Sequence, residues 1–173
     1  LLVKFIEWLL TKILPFRDII KEVDGKPTLY LRRFFLWRNV KGSKTGDEGG
    51  VFLHFIHRND DDRDPHDHPW DFTSFIVARG YKDEQWNCYE KEIESLPTFK
   101  QFNRDFMGYE DVKPFSTVFR KAEHVHRVRG IEPGKPAVTL VWTGPARREW
   151  GFMKYTGWTH WAVYLGIENW SGK

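Results

Sequence analysis

Residues 64–72 read Asp64-Pro65-His66-Asp67-His68-Pro69-Trp70-Asp71-Phe72. On an extended segment side chains alternate with period two, so His66 and His68 point to the same face. Two imidazoles side by side can grip one transition metal ion if a third ligand arrives from elsewhere. The alternative reading leaves the pair flanking a proline-kinked turn, hydrogen-bonded to the loop 60–64.

The third ligand has a candidate some sixty residues on. Residues 121–128 read Lys121-Ala122-Glu123-His124-Val125-His126-Arg127-Val128 and repeat the His-x-His spacing on an expected strand. These two pairs hold four of the seven histidines. His126 is preferred over His124 as the ligand, and the other member lines the pocket or binds as a fourth ligand. His54 and His57 fall on opposite faces of one strand, one in the core or behind the ligands and the other exposed. His160 reads as structural. Asp60, Asp61, Asp62 and Asp64 contain no glycine and precede no glutamate at calcium-loop spacing, so they read as a solvated loop.

Working outward from the histidines, strand patterns fill the chain from about residue 25 to 155. Strands are expected at 28–37, 51–57, 72–78, 81–90, 115–120, 124–129, 138–143 and 150–155. Between them lie a polar, glycine-rich loop at 42–50 and an acidic loop at 59–65. Short strands at fairly regular spacing with Gly and Pro turns indicate a sandwich or barrel. The aromatic content of 17% points the same way, because rings suit pleated, half-buried strands.

Before residue 24 the pattern changes. Leu2, Phe5, Ile6, Leu9, Leu10, Ile13 and Leu14 recur at helical spacing, and Pro15 ends the run. Residues 17–23 read as a second short turn. The helix is too short and too charged to span a bilayer, with Lys4, Glu7 and Lys12 inside it. Packing of Leu2, Phe5, Ile6 and Leu9 on the barrel or on a second copy is expected, with a membrane-surface role as the alternative. The division expected is a helical segment at 1–24 and a β-barrel domain at 25–173. The first residue is Leu1, which leaves the true start open.

A chain of 173 residues fits one domain. Its single cysteine, Cys88, excludes an internal disulfide framework and suits a reducing, cytoplasmic setting. Net charge is +3 with Lys and Arg spread along the chain, so no basic stripe marks a nucleic-acid partner.

With these residues in view, the chain resembles the cupin superfamily. The first cupin motif places a His-x-His, then an acidic residue three or four positions on, then a glycine; His66, His68 and Gly80 fall at those places. The second motif ends like His126-Arg127-Val128. The resemblance implies an all-β, cupin-type double-stranded β-helix, or jelly-roll barrel, preceded here by an N-terminal α-helix. The acidic ligand should fall at Phe72 or Thr73, and neither carries a carboxylate. Asp71 lies one place early and joins only if the strand is locally bulged. Three-histidine, cysteine-dioxygenase-like members lack that ligand.

The resemblance therefore implies one divalent transition metal ion, iron first, with zinc, nickel, manganese or copper as alternatives. It implies a mononuclear metal-dependent oxygenase acting on a small polar molecule. The alternatives are a non-catalytic small-ligand or sugar-binding cupin and a metal-independent sugar epimerase or isomerase. Arg33, Tyr81, Arg127, Arg148 and Trp150 are candidates for substrate contact, with Trp70, Trp142, Tyr30 and Arg147 as further lining. Asp67, Asp71 and Glu123 are candidates to engage the outer ring nitrogens of the ligands. A homodimer remains open.

Overall fold

The computed structural model describes residues 2–23, 25–38, 49–60, 64–93 and 96–167. Helix α1 (Leu2–Leu10) leads into eleven strands: β1 (Phe16–Val23), β2 (Lys26–Arg38), β3 (Gly50–Ile56), β4 (Phe72–Ala78), β5 (Tyr81–Ile93), β6 (Leu96–Val112), β7 (Thr117–Arg120), β8 (Val125–Arg129), β9 (Ala137–Thr143), β10 (Gly151–Lys154) and β11 (Gly157–His160). A single-turn helix, α2 (Trp161–Tyr164), follows.

One sheet has the order β1-β2-β3-β9-β4-β7, a second the order β6-β5-β8, and β10-β11 form a hairpin. The backbone at His66 bridges β8 at His126 and β10 at Phe152, which extends the second sheet past β8. From β3 onward the chain therefore visits the first sheet, the second at His66, the first at β4, the second at β5 and β6, the first at β7, the second at β8 and the first at β9. Crossing between two antiparallel sheets at nearly every connection is the jelly-roll winding, the double-stranded β-helix expected from the sequence. The sheets meet in a core where Leu31, Ile56 and Ala137 pack with Val128 and Ile131, and Tyr81 closes on them.

The corner from β4 to β5 shows why Gly80 sits where it does. Arg79 and Gly80 both have positive φ, 71° and 69°. A Cβ on Gly80 would lie 2.2 Å from the Val112 carbonyl oxygen, so the turn needs glycine.

Two expectations are corrected here, and one strand is added that the sequence did not mark. Residues 17–23 are not a turn: Ile19, Ile20 and Val23 suit a strand, and β1 pairs antiparallel with β2. β6 carries no clear sequence pattern, yet it pairs with β5 along nearly its whole length. Among the described residues it is an edge strand paired with β5 alone, and its alternation is weak. The acidic loop is not solvated either, because Asp60 and Asp64 are fully buried. Lys21 meets Asp60 at 2.6 Å and Arg104 meets Asp64 at 2.5 Å, which offsets the desolvation. Asp61 and Asp62, and residues 42–48 of the glycine-rich loop, lie outside the described residues.

Helix α1 lies on the outer face of the larger sheet, turned differently from expectation. Val3, Leu10 and Leu14 pack against Phe34, Phe55 and Val138. Glu7 shares that inward stripe and is 5% exposed, held by His57 Nε2 at 2.8 Å and Arg32 Nη1 at 3.4 Å. Leu2, Phe5, Ile6 and Leu9 are exposed. The spacing 3-7-10-14 is as helical as the expected one, and its buried ion pairs fix the rotation.

Candidate metal centre

Strand parity decides what faces the barrel interior. In β8, His126 and Val128 share a face, and Val128 lies in the core. In β5, Asp83 pairs with Val128 and points the same way, as does Tyr81. In β7 and β4, Arg120 pairs with Phe72 and reaches Asp83. At this interior corner His66, His68 and His126 each offer a ligand atom, all within 4.8 Å of one another. His68 Nε2 and His126 Nε2 are 2.9 Å apart.

Carboxylates stand behind two of the rings. His126 Nδ1 bonds Asp83 Oδ1, while Asp60 Oδ2 lies 3.1 Å from His66 Nδ1. The bond to Asp83 orients the His126 ring with its Nε2 toward the shared point, while the Asp60–His66 approach is a charge contact without hydrogen-bond geometry. Burial works against the charge on Asp83, but His126 and the hydrogen bonds from His124 and His126 outweigh it and hold the carboxyl well below the usual range. Burial, then the neighbouring His126, His66 and His124, push His68 well below the ordinary histidine value. A neutral imidazole with a free ring nitrogen is the form that ligates metal.

A fit test follows from this geometry. Two nitrogens bound at about 2.1 Å to one ion, at a right angle, stand about 3.0 Å apart. The 2.9 Å between His68 Nε2 and His126 Nε2 is also a hydrogen-bond distance, and it leaves both nitrogens close enough to reach one ion. The donor set of three imidazoles suits a first-row divalent ion, so the residues fit the implied metal.

His124 reaches a different place. Its Nε2 lies 3.0 Å from Asp83 Oδ2, and with Asp83 and His126 it forms a second possible donor group. That group would use His126 Nδ1, the nitrogen already turned to Asp83. Burial lowers His124 against the pull of its bond to Asp83. His124 also borders an open cleft of about 450 Å³, lined further by Gln85, Glu110, Phe119, Arg120 and Lys121.

The remaining candidates separate clearly. Asp71 does not join the histidines: its Oδ1 accepts from Ala122 N at 2.7 Å and from Arg147 Nη2 at 2.7 Å, at the surface. No bulge falls at residue 71, since the irregularity in β4 lies between Ile76 and Ala78. Arg127 follows His126 on β8 and so faces away, donating to Glu84 at 2.6 Å. Arg33 donates to His54 Nε2 at 3.0 Å, and burial followed by the Arg33 charge lowers His54. Tyr81 is packed in the core. Tyr30 packs there too, and Trp142 lies on the outer face of β9, half exposed.

Arg148 meets Asp67 at 2.8 Å, and that buried carboxylate also accepts from Gly151 N and Trp158 Nε1. Asp67 thus ties the histidine segment to the β10-β11 hairpin instead of engaging a ligand ring. Glu123 pairs with Arg147 at the surface, so neither it nor Asp71 backs a ligand. Trp150 and Trp70 do line the site, with ring centroids 6.2 Å from His66 and 5.3 Å from His68. Cys88 has a thiol pushed up to about 11 by burial, which keeps it protonated and unreactive.

Sequence reasoning missed Asp83 and Asp60. Asp83 sits three residues after Gly80 on the strand beside the second His-x-His, and only the β5-β8 pairing makes that signal visible.

No protein-family profile matches the chain, and no curated protein matches it. Solved structures similar to it are double-stranded β-helix proteins. The Fe(II) form of HppE is 9% identical over 77% of this chain and 57% of that one, with a TM-score of 0.44. The chain thus spans little more than half the length of that protein. An uncharacterized conserved protein with a double-stranded β-helix domain from Klebsiella pneumoniae is 13% identical, over 77% of this chain and 89% of that one, with a TM-score of 0.44. The polyketide cyclase RemF from Streptomyces resistomycificus is 17% identical, over 79% of this chain and 77% of that one, with a TM-score of 0.46.

Proposed function

We propose that this chain binds one divalent transition metal ion through His66, His68 and His126, and that it is an oxygenase acting on a small polar molecule in the cytoplasm. The observation that carries the reading is the convergence of three imidazoles within 4.8 Å, with Asp83 fixing the tautomer of His126. When bound, an ion such as iron(II) supplies open coordination positions for dioxygen and substrate.

The chain's own residues do the rest. Asp83 keeps the proton on His126 Nδ1 and so presents Nε2 as a lone pair. Asp60 stands beside His66 Nδ1 as a neighbouring carboxylate, 3.1 Å away. Trp70, Trp150 and Phe152 wall the histidines and exclude water from that side. The cleft beside His124 offers the approach for a small polar ligand, with Lys121 and Gln85 at its rim.

One observation favours a second reading, metal-independent acid–base chemistry: the Asp83–His124 pair opens on that cleft, a base with its orienting carboxylate. Element analysis of protein purified without added metal separates the two. The proposal expects about one first-row metal ion per chain and oxygen uptake with a suitable small substrate. Metal-free protein with full turnover of a sugar substrate would overturn it.

A further inference from the structure

We propose that the outward face of α1 docks on an anionic lipid surface. The helix buries its one carboxylate and exposes its apolar side. Leu2, Phe5, Trp8, Leu9 and Ile13 are between 44% and 70% exposed, while Glu7 is turned inward between His57 and Arg32. A helix stabilised only by packing would hold the opposite orientation. The exposed charges left on the helix and the turn after it are both positive: Lys12 stands over the Trp8 ring on the outer side, and Lys4 lies at the flank with its Nζ beside the turn at Gly134.

Charge decides the occupant. A symmetric contact with a second copy would bring the same patch to itself, so lysines from both helices would converge while each Glu7 stays inside. An anionic bilayer surface meets both requirements. Phe5, Leu9 and Ile13 enter the headgroup boundary, Trp8 sits at its polar edge, and Lys4 and Lys12 extend to the phosphates. The docking is peripheral, since no described helix is long and apolar enough to cross a membrane.

The test is sedimentation of the full chain with vesicles. Mixed phosphatidylcholine and phosphatidylglycerol vesicles should carry the protein down. Pure phosphatidylcholine should bind it about tenfold less, and added salt should release it. Phe5→Ser with Leu9→Ser should lose vesicle binding at an unchanged melting temperature, because both side chains are already exposed. Lys4→Glu with Lys12→Glu should erase the preference for the anionic mixture. Absence of binding to either vesicle overturns the proposal. So does a stable dimer in sedimentation velocity that Leu9→Ser dissociates, which would assign the face to a second copy.

Discussion

Residues 66–68 and 124–126 carry the same His-x-His spelling on extended backbone, and the fold uses them differently. In the first pair both rings enter the cluster. In the second only His126 does, while His124 turns to the far oxygen of Asp83. Period two places each pair on one face, but it does not set how far each ring lies from a third. The first pair sits on a segment hydrogen-bonded on both sides, to His126 and Ala122 on one and to Gly151 on the other, so both rings are brought to β8. The second pair runs past the cluster, and its outer member meets the neighbouring strand's carboxylate instead.

The comparison breaks most readily at the first pair. His66→Ala or His68→Ala should each weaken metal binding by roughly a hundredfold or more, beyond the usual effect of an outer-shell change. Titration calorimetry with a divalent ion measures this, and retention of tight binding in either variant would end the three-histidine assignment. Asp83→Asn comes next. Loss of the carboxylate behind His126 should cost about 10–100-fold in affinity while the ligands remain in place.

His124→Ala sharpens the contrast. If His124 only braces Asp83, affinity should fall by less than about tenfold. A loss as large as that of His126→Ala would move the metal to the Asp83–His124 side.

One member of each pair, His68 and His124, should also differ from an ordinary histidine in acid, and so should His54. His54, His68 and His124 all have lowered values in the folded chain, so the unfolded chain binds more protons as the pH drops. Stability of the metal-free protein is therefore full above about pH 6.5 and declines below it. Each kcal/mol lost should lower the melting temperature by about 2–4 °C, which a melting series across pH reads directly. Smallest of all, Asp71→Asn should leave metal affinity unchanged, since Asp71 serves Arg147 and the Ala122 amide at the surface.

Much of this is legible in the sequence. Strand β4 falls where alternation places it, and β3 and β9 fall within a residue of expectation, because each has one face in the core. The histidine cluster was legible for the same reason. What stayed hidden depends on pairing across the chain. Asp83 has nothing in its local sequence to mark it, and only the register Asp83 opposite Val128 places it beside His126. β6 is an edge strand among the described residues and lacks the apolar rhythm that strand reading needs. The rotation of α1 is hidden in the sequence because Glu7 looks like a surface residue until Arg32 on β2 and His57 just after β3 are set beneath it. Arg127 was misread although the same alternation that selects His126 sends its neighbour outward.

One feature of the histidine segment bears on how the protein is made. His66 is held between β8 and β10, Met153 N bonds the Pro65 carbonyl, and Trp161 stacks on the Trp150 ring beside His66. As the chain leaves the ribosome, His66 and His68 emerge first and have only each other. His126 follows much later, and the wall over the cluster later still. At ordinary rates of synthesis this leaves the two early imidazoles without a third for several seconds. Two imidazoles hold a metal weakly, so little of it is captured out of turn. Tight binding at the proposed centre would therefore wait until β8 and the β10-β11 hairpin have been made, and the order of synthesis would keep the centre from filling before it is shaped.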